Sequence, residues 1–296
     1  MKLQTPVTDL ECRCGISYDE KILLAGSCFA DSIGGKLGNY GFDVCVNPFG
    51  TLYNPVSLLN CFKRLVSEEL FVENECVRVG AGSALTCSFS HHTSFARETQ
   101  EDFLKNANES LKKSAEALYD SSVVIITLGT AWCFRHKESG LTVSNCLKRD
   151  AKEFDRYRLG ATEVCGCLKE IVRIAGSYGK PKRFIFTVSP IRHFKDGAHG
   201  NQISKATLLL GVEELLSSTE LRGICDYFPA YEIVMDELRD YRFYAEDMLH
   251  PSSQTENYIL ERFLDWALPQ EERPKLEENI RLYKRSLHIP LEIFKK

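Results

Sequence analysis

Short apolar runs alternate along the chain with longer stretches whose apolar residues recur every three or four positions. Five runs read as strands: Ile22–Ala25, Phe42–Val46, Val123–Leu128, Phe184–Val188 and one near Tyr231–Met235. The clearest lies in "SVVIITLGT", β-branched and closed by a glycine turn, as a strand buried on both faces requires. Helical stripes lie between and after them. Phe29, Ile33 and Leu37 form the first, and Val56 to Val66 the second. Phe103, Ala107, Leu111, Ala115 and Leu118 form the third, and Val164, Leu168, Ile171, Val172 and Ala175 the fourth. Ile203, Ala206 and Leu210 begin a fifth, and Tyr258, Ile259 and Phe263 a sixth.

This alternation predicts an α/β fold with a parallel sheet and helices on both faces. Ligands in such sheets bind beyond the carboxyl ends of the strands. The segments there are "GSCF", "NPFGTLYNP", "GTAW", "SPIRH" and, after the last run and a short connection, "EDMLHPS". Each carries glycine or polar residues suited to chemistry, so the strand ends converge on one candidate site.

In "KILLAGSCFADSIGGKL" a strand reaches a helix through glycine and Ser27. A serine there has two uses. It can cap the helix, a common role for this residue. It can also attack a carbonyl while unpaired N–H groups of the helix start hold the resulting oxyanion. The second use needs a base. "AEDMLHPS" supplies Asp247 and His250 three positions apart. That spacing lets the carboxylate hold one ring nitrogen while the other faces the serine. The bland alternative for the pair is a surface contact before the last helical stripe.

Composition narrows the rest. The 296 residues are 44% hydrophobic and 26% charged, with a net charge of −4, the profile of an ordinary globular protein. There is no basic footprint for nucleic acid. Twelve cysteines are many but do not look like a disulfide framework, since most sit in apolar runs where free thiols pack as small hydrophobes. "MKLQTPVTDLECRCG" lacks a signal-peptide core, and no apolar run approaches the ~20 residues of a membrane helix. The expectation is a cytoplasmic protein with reduced thiols and no membrane partner.

Other residues compete for attention. Cys28 adjoins Ser27, but neighbours on a helix point about 100° apart, and burial is the favoured reading. His91 and His92 in "SFSHHTSF" have no metal-ligand spacing around them, so no metal is expected; His92 is a candidate on a substrate-lining loop. Arg192 is a candidate for an anionic substrate group, and His193 is placed near the cleft. The aromatic "DYRFYAED" either lines a pocket or packs the last connection.

Several stretches together resemble the GSCFA family, a branch of the SGNH/GDSL hydrolase superfamily. They are "GSCFA" at 26–30, "NPFGTLYNP" at 47–55, "TLGTAW" at 127–132, "TVSPIRHFKDG" at 187–197 and "YFPAYEIVMDELRDYRFYAEDMLHPS" at 227–252. The resemblance implies a flavodoxin-like three-layer sandwich with a five-stranded parallel sheet in the order 2-1-3-4-5. It implies Ser27 as nucleophile, His250 as base and Asp247 as its orienter. It also implies an oxyanion hole from Ser27 and Gly50 N–H groups and a third donor. Where the superfamily commonly has glycine–x–asparagine, this chain has Gly129 and Thr130; Thr130 is the candidate third donor, with Asn145 as the other. Ala25-Gly26-Ser27 stands where the superfamily has Gly-Asp-Ser.

The expected organisation is a hydrolase domain over residues 1–266, then a charged helical extension over 267–296 packed on it. Two functions are carried forward. The first is a serine esterase acting on a small-molecule ester, without cofactor, with an O-acyl group on a carbohydrate as the substrate by analogy with related hydrolases. The second is a non-catalytic ligand-binding or regulatory protein that keeps the cleft.

Overall fold

The computed structural model describes residues 5–8 and 11–287; the expected end of the C-terminal extension, 288–296, lies outside the described residues. Five parallel strands form the central sheet. They are β1 (Lys21–Gly26), β2 (Asp43–Val46), β5 (Val123–Leu128), β9 (Arg183–Val188) and β10 (Cys225–Tyr227), ordered β10-β9-β5-β1-β2. Counted along the sheet, this is the expected 2-1-3-4-5 order. Ile22 pairs with Val123 and Ile126 with Phe186, so β5 lies at the centre.

Period-two alternation divides the central strands between two cores. Leu23 and Ala25, Val124 and Ile126, and Phe184 and Phe186 face the first. It is closed by α2 (Pro55–Ser67), α3 (Gln100–Asp120), α4 (Ala161–Gly176) and α5 (Gly197–Leu216). Ile22, Leu24, Val123, Ile125 and Ile185 face the second. There α1 (Cys28–Asn39) and α7 (Ser253–Ala267) supply Phe29, Ile33, Ile259 and Phe263. Both faces of β1, β5 and β9 are therefore buried, which is why these strands read as unbroken apolar runs.

The final strand differs from the sequence expectation. Residues near Tyr231–Met235 are helical: α6 (Ala230–Glu232) continues into a π-helical turn at Ile233–Leu238. The edge strand is the shorter β10, of three residues, directly before Phe228 and Pro229. Pro229 ends the extended run, since it has no N–H for a ladder. Helical spacing then lets Ile233 and Val234 both bury on the second core, which alternation along a strand forbids.

Two antiparallel additions were absent from the periodicity reading. β3 (Cys76–Arg78) and β4 (Thr86–Ser88) pair between α2 and α3. β6 (Trp132–His136), β7 (Thr142–Val143) and β8 (Phe154–Arg158) form a three-stranded sheet, β7-β6-β8, between β5 and α4. This sheet leaves the carboxyl end of β5 and forms one wall of the candidate site. After α7, α8 (Arg273–Ser286) lies against α1. Leu276 is buried there, and Asn279 Nδ2 donates to Tyr40 O at 2.9 Å. No described helix is long and apolar enough to cross a membrane. All twelve cysteines are free thiols, and burial raises the pKa of each.

Candidate active site

Strand β1 ends at Gly26 with φ +150°. A Cβ there would sit 2.2 Å from the Thr127 carbonyl oxygen, so only glycine lets β1 lie this close to β5. Ser27 follows as N-cap of α1, with φ −70° and ψ 175°. Its Oγ accepts from Phe29 N–H at 3.3 Å, and it is 1% exposed. The capping use of Ser27 is thus realised. The loop after β2 is tied beneath it: Asn47 Oδ1 accepts from Gly26 N–H at 2.8 Å, and Asn47 Nδ2 donates to Asp31 Oδ1 at 2.5 Å.

Asp247 and His250 come from the segment before α7. His250 Nδ1 lies 2.6 Å from Asp247 Oδ2. Asp247 Oδ1 also accepts from the backbone N–H groups of Leu249 and His250, both at 2.9 Å. These backbone donors, then the imidazole, hold the carboxyl down to about 2. The tight turn needs Met248 at φ +58°. It is anchored to the loop after β9, where Arg192 N–H donates to Leu249 O and its guanidinium to Met248 O.

A cleft of about 680 Å³ opens at the carboxyl edge of the sheet. It brings together Thr130, Asn145, Arg192, His193 and His250 with Cys28, the neighbour of Ser27. Trp132 and Phe134 of β6 and Arg156 of β8 form the wall. Arg156 stacks 4.0 Å over Trp132 and pairs with Asp196. Cys28 faces the cleft instead of being fully buried; burial still raises its thiol pKa.

Other sequence-predicted residues lie differently. His92 is not among the cleft-lining residues. It sits against Gly50, and its Nδ1 takes up the Ser94 N–H and hydroxyl at 3.3 and 3.1 Å. Capping this short turn, not contacting a ligand, accounts for its place. The oxyanion expectation also changes. Ser27 N–H donates to Thr127 O at 3.2 Å, and Gly50 N–H to Asn47 O at 2.8 Å. Both backbone donors are satisfied by the turns that position them. Thr130 Oγ1 lies 3.0 Å from Ser204 Oγ and accepts from Trp132 N–H at 3.1 Å. If Ser204 donates in that pair, the Thr130 proton is left for the cleft. Asn145 Oδ1 accepts from Leu147 N–H at 2.8 Å, fixing its amide at the rim.

His193 is held by Tyr53, their rings edge to face at 6.0 Å. Its Nε2 is buried without a partner among the described residues. Burial, then the charges of Lys205 and His250, bring its pKa down to about 4, so it is neutral near pH 7. Sequence reasoning missed Lys205, Tyr53, Trp132 and Arg156. Period two in "WCFRH" and "FDRYR" was a usable signal for the wall. Lys205 gave none, because a lysine in a helical stripe reads as a solvated face. Among the described residues, no three His, Cys, Asp or Glu side chains gather as a metal site.

Comparison with solved structures gives a distant likeness to an acetyl xylan esterase from the rumen bacterium Butyrivibrio proteoclasticus. The TM-score is 0.43 and the identity 10%, over 88% of this chain and 65% of that one. The chain thus spans less than two thirds of that protein's length. Comparison with curated proteins gives no match. The family model described as "GSCFA family" matches residues 21–263, more than half of the chain, and the chain belongs to the GSCFA family.

Proposed function

We propose that the protein is a serine hydrolase of the SGNH/GDSL type that cleaves a carboxylic ester. One observation supports this reading: Cys28, the residue after Ser27, and His250, the partner of Asp247, line the same cleft. Asp247 fixes the His250 tautomer and stabilises the imidazolium. His250 Nε2 takes the proton of Ser27 as its Oγ attacks the acyl carbon. The alkoxide leaves with that proton as the alcohol. Water, giving a proton to His250, then hydrolyses the acyl-enzyme.

The oxyanion is held by the Thr130 hydroxyl and by the Ser27 and Gly50 N–H groups. The last two must exchange their present carbonyl acceptors for substrate oxygen, and the 3.2 Å bond from Ser27 to Thr127 is the longer and weaker of these. Arg192 favours a substrate with an anionic group, and the aromatic wall favours a ring. An O-acyl group on a carbohydrate supplies the ring, and an acidic sugar supplies the anionic group as well. Asn145 and His193 border the same space. Acyl transfer to a second alcohol uses the same residues. The cytoplasm is the compartment we propose, since free thiols persist there.

A ligand-binding protein without turnover is favoured by the internal satisfaction of the two backbone donors. Labelling with a fluorophosphonate separates the readings. The wild type is expected to be modified at Ser27 and Ser27→Ala to remain unmodified; equal labelling of both ends the hydrolase reading. A panel of small esters then identifies the acyl group.

A further inference from the structure

Lys205, on α5, is 1% exposed. Its Nζ donates to Gly129 O at 2.7 Å and to Ser189 O at 2.6 Å. Gly129 follows β5 and Ser189 follows β9, neighbouring strands of the sheet. One ammonium therefore joins the turns that lead into two segments of the cleft: Thr130 is next to Gly129, and Arg192 and His193 lie three and four residues beyond Ser189. Ser189 N–H donates to Leu128 O at 2.8 Å, so the turns already touch where Lys205 ties them.

Burying this cation is costly. Isolated buried ammonium groups are rare, and an apolar side chain fills such a site with less penalty. The groups acting on it are Cys28 from α1 and Asp196 from the loop before α5, and the Asp196 carboxylate is already paired with Arg156. His193 feels its charge, and the Tyr231 ring lies 5.9 Å away. Asp196 thus attracts the ammonium without being its exclusive ion-pair partner. What the site does contain is two strand-end carbonyls and, beyond them, the floor of the cleft.

We propose that Lys205 is the positioning residue of this cleft. Its ammonium pins the Gly129 and Ser189 turns, which sets Thr130, Arg192 and His193, and its charge favours negative charge developing beside Ser27. The second half rests on the hydrolase reading; the first does not. Burial brings the amine down to about 7, against the opposing influence of Cys28 and Asp196. Above that pH the neutral amine still has N–H groups for both carbonyls, so the tie survives while the charge is lost.

Two variants separate these parts. Lys205→Met removes tie and charge. Hydrogen exchange is expected to quicken at the amides of 129–132, 189 and 191–193, and kcat to fall about 100-fold, the scale of an ångström's misplacement in an active site. Lys205→Gln keeps amide donors without charge. Exchange there stays near wild type, kcat still falls about tenfold for loss of a charge acting at a distance, and the wild-type loss of activity near pH 7 disappears. A folded Lys205→Met protein with wild-type exchange overturns the inference, as does a Lys205→Gln protein with the wild-type pH profile and turnover. If Lys205→Met does not fold, Lys205→Gln carries both readouts. If the wild type neither labels nor turns over, the hydrolase reading fails alone, and exchange still decides the tie.

Discussion

His250 Nδ1 and Asp247 Oδ2 lie 2.6 Å apart, in a turn whose backbone N–H groups also point at the same carboxylate. The turn thus serves the carboxylate first and the imidazole through it. Asp247→Asn keeps an oxygen for the backbone donors but loses the ring's anionic partner. Turnover is expected to fall about 10⁴-fold, with little change in Tm, because both side chains are about half exposed. The fold favours the ionised carboxyl, so its contribution is complete above the ordinary value of 3.8 and is lost only as pH falls through about 2. The acid limb of kcat/KM in the wild type therefore should not track Asp247. A limb that moves to the pH of an ordinary carboxylate would refute this.

Ser27 caps α1 and, on the proposed reading, is also the nucleophile, two roles that substitution can separate. Ser27→Ala removes the nucleophile and the cap of α1 together. Fluorophosphonate labelling should vanish, turnover should fall by at least about 10⁴-fold, and stability should drop by about 1 kcal/mol. Ser27→Gly should lose labelling equally, yet only a few tenths of a kcal/mol, since glycine is tolerated at a cap. Calorimetry beside labelling distinguishes the two.

The legibility of the molecule follows from where its signals lie. β1, β5 and β9 are buried on both faces, so unbroken apolar runs mark them in the sequence. β10 pairs on one edge through three residues, too few for a pattern to form, while the apolar residues beyond it belong to a helical turn. Ser27 was readable because glycine, serine and a helical stripe are adjacent. That the segment after Ser27 and His250 border one cleft was readable only through the rule that ligands gather at strand ends. The commitment of the Ser27 and Gly50 N–H groups to Thr127 and Asn47 was not, since it depends on turn geometry. The buried place of Lys205 depends on how α5 meets two loops distant in sequence.

Thr130 is an expected oxyanion donor whose side chain lines the cleft. Thr130→Ser keeps the hydroxyl and should retain most of kcat. Thr130→Val removes it and also strips Trp132 N–H of its acceptor. Loss of a single oxyanion donor lowers kcat by about 100- to 1,000-fold, and that is the expected fall for valine. If both variants turn over like the wild type, Thr130 has no part in the reaction.

The loop carrying Gly50 is coupled to acid through a residue outside the cleft. His91 is fully buried, with Nδ1 2.7 Å from Ser88 Oγ and the rings of Phe49, Phe71 and Phe95 within 5 Å of its own. Burial, then the Arg64 charge, brings its pKa down to about 3. The fold thus favours the neutral ring. That contribution is complete above pH 6.5 and is lost progressively as pH falls toward about 3, because the unfolded chain binds the proton first. His91→Leu forfeits the Ser88 hydrogen bond, roughly 1 kcal/mol at pH 7, but has no proton to bind. Its urea midpoint should therefore lie below the wild type at pH 7 and fall less steeply between pH 6.5 and 4. Parallel declines of the two proteins across that window would show that His91 does not set the acid limit of the fold.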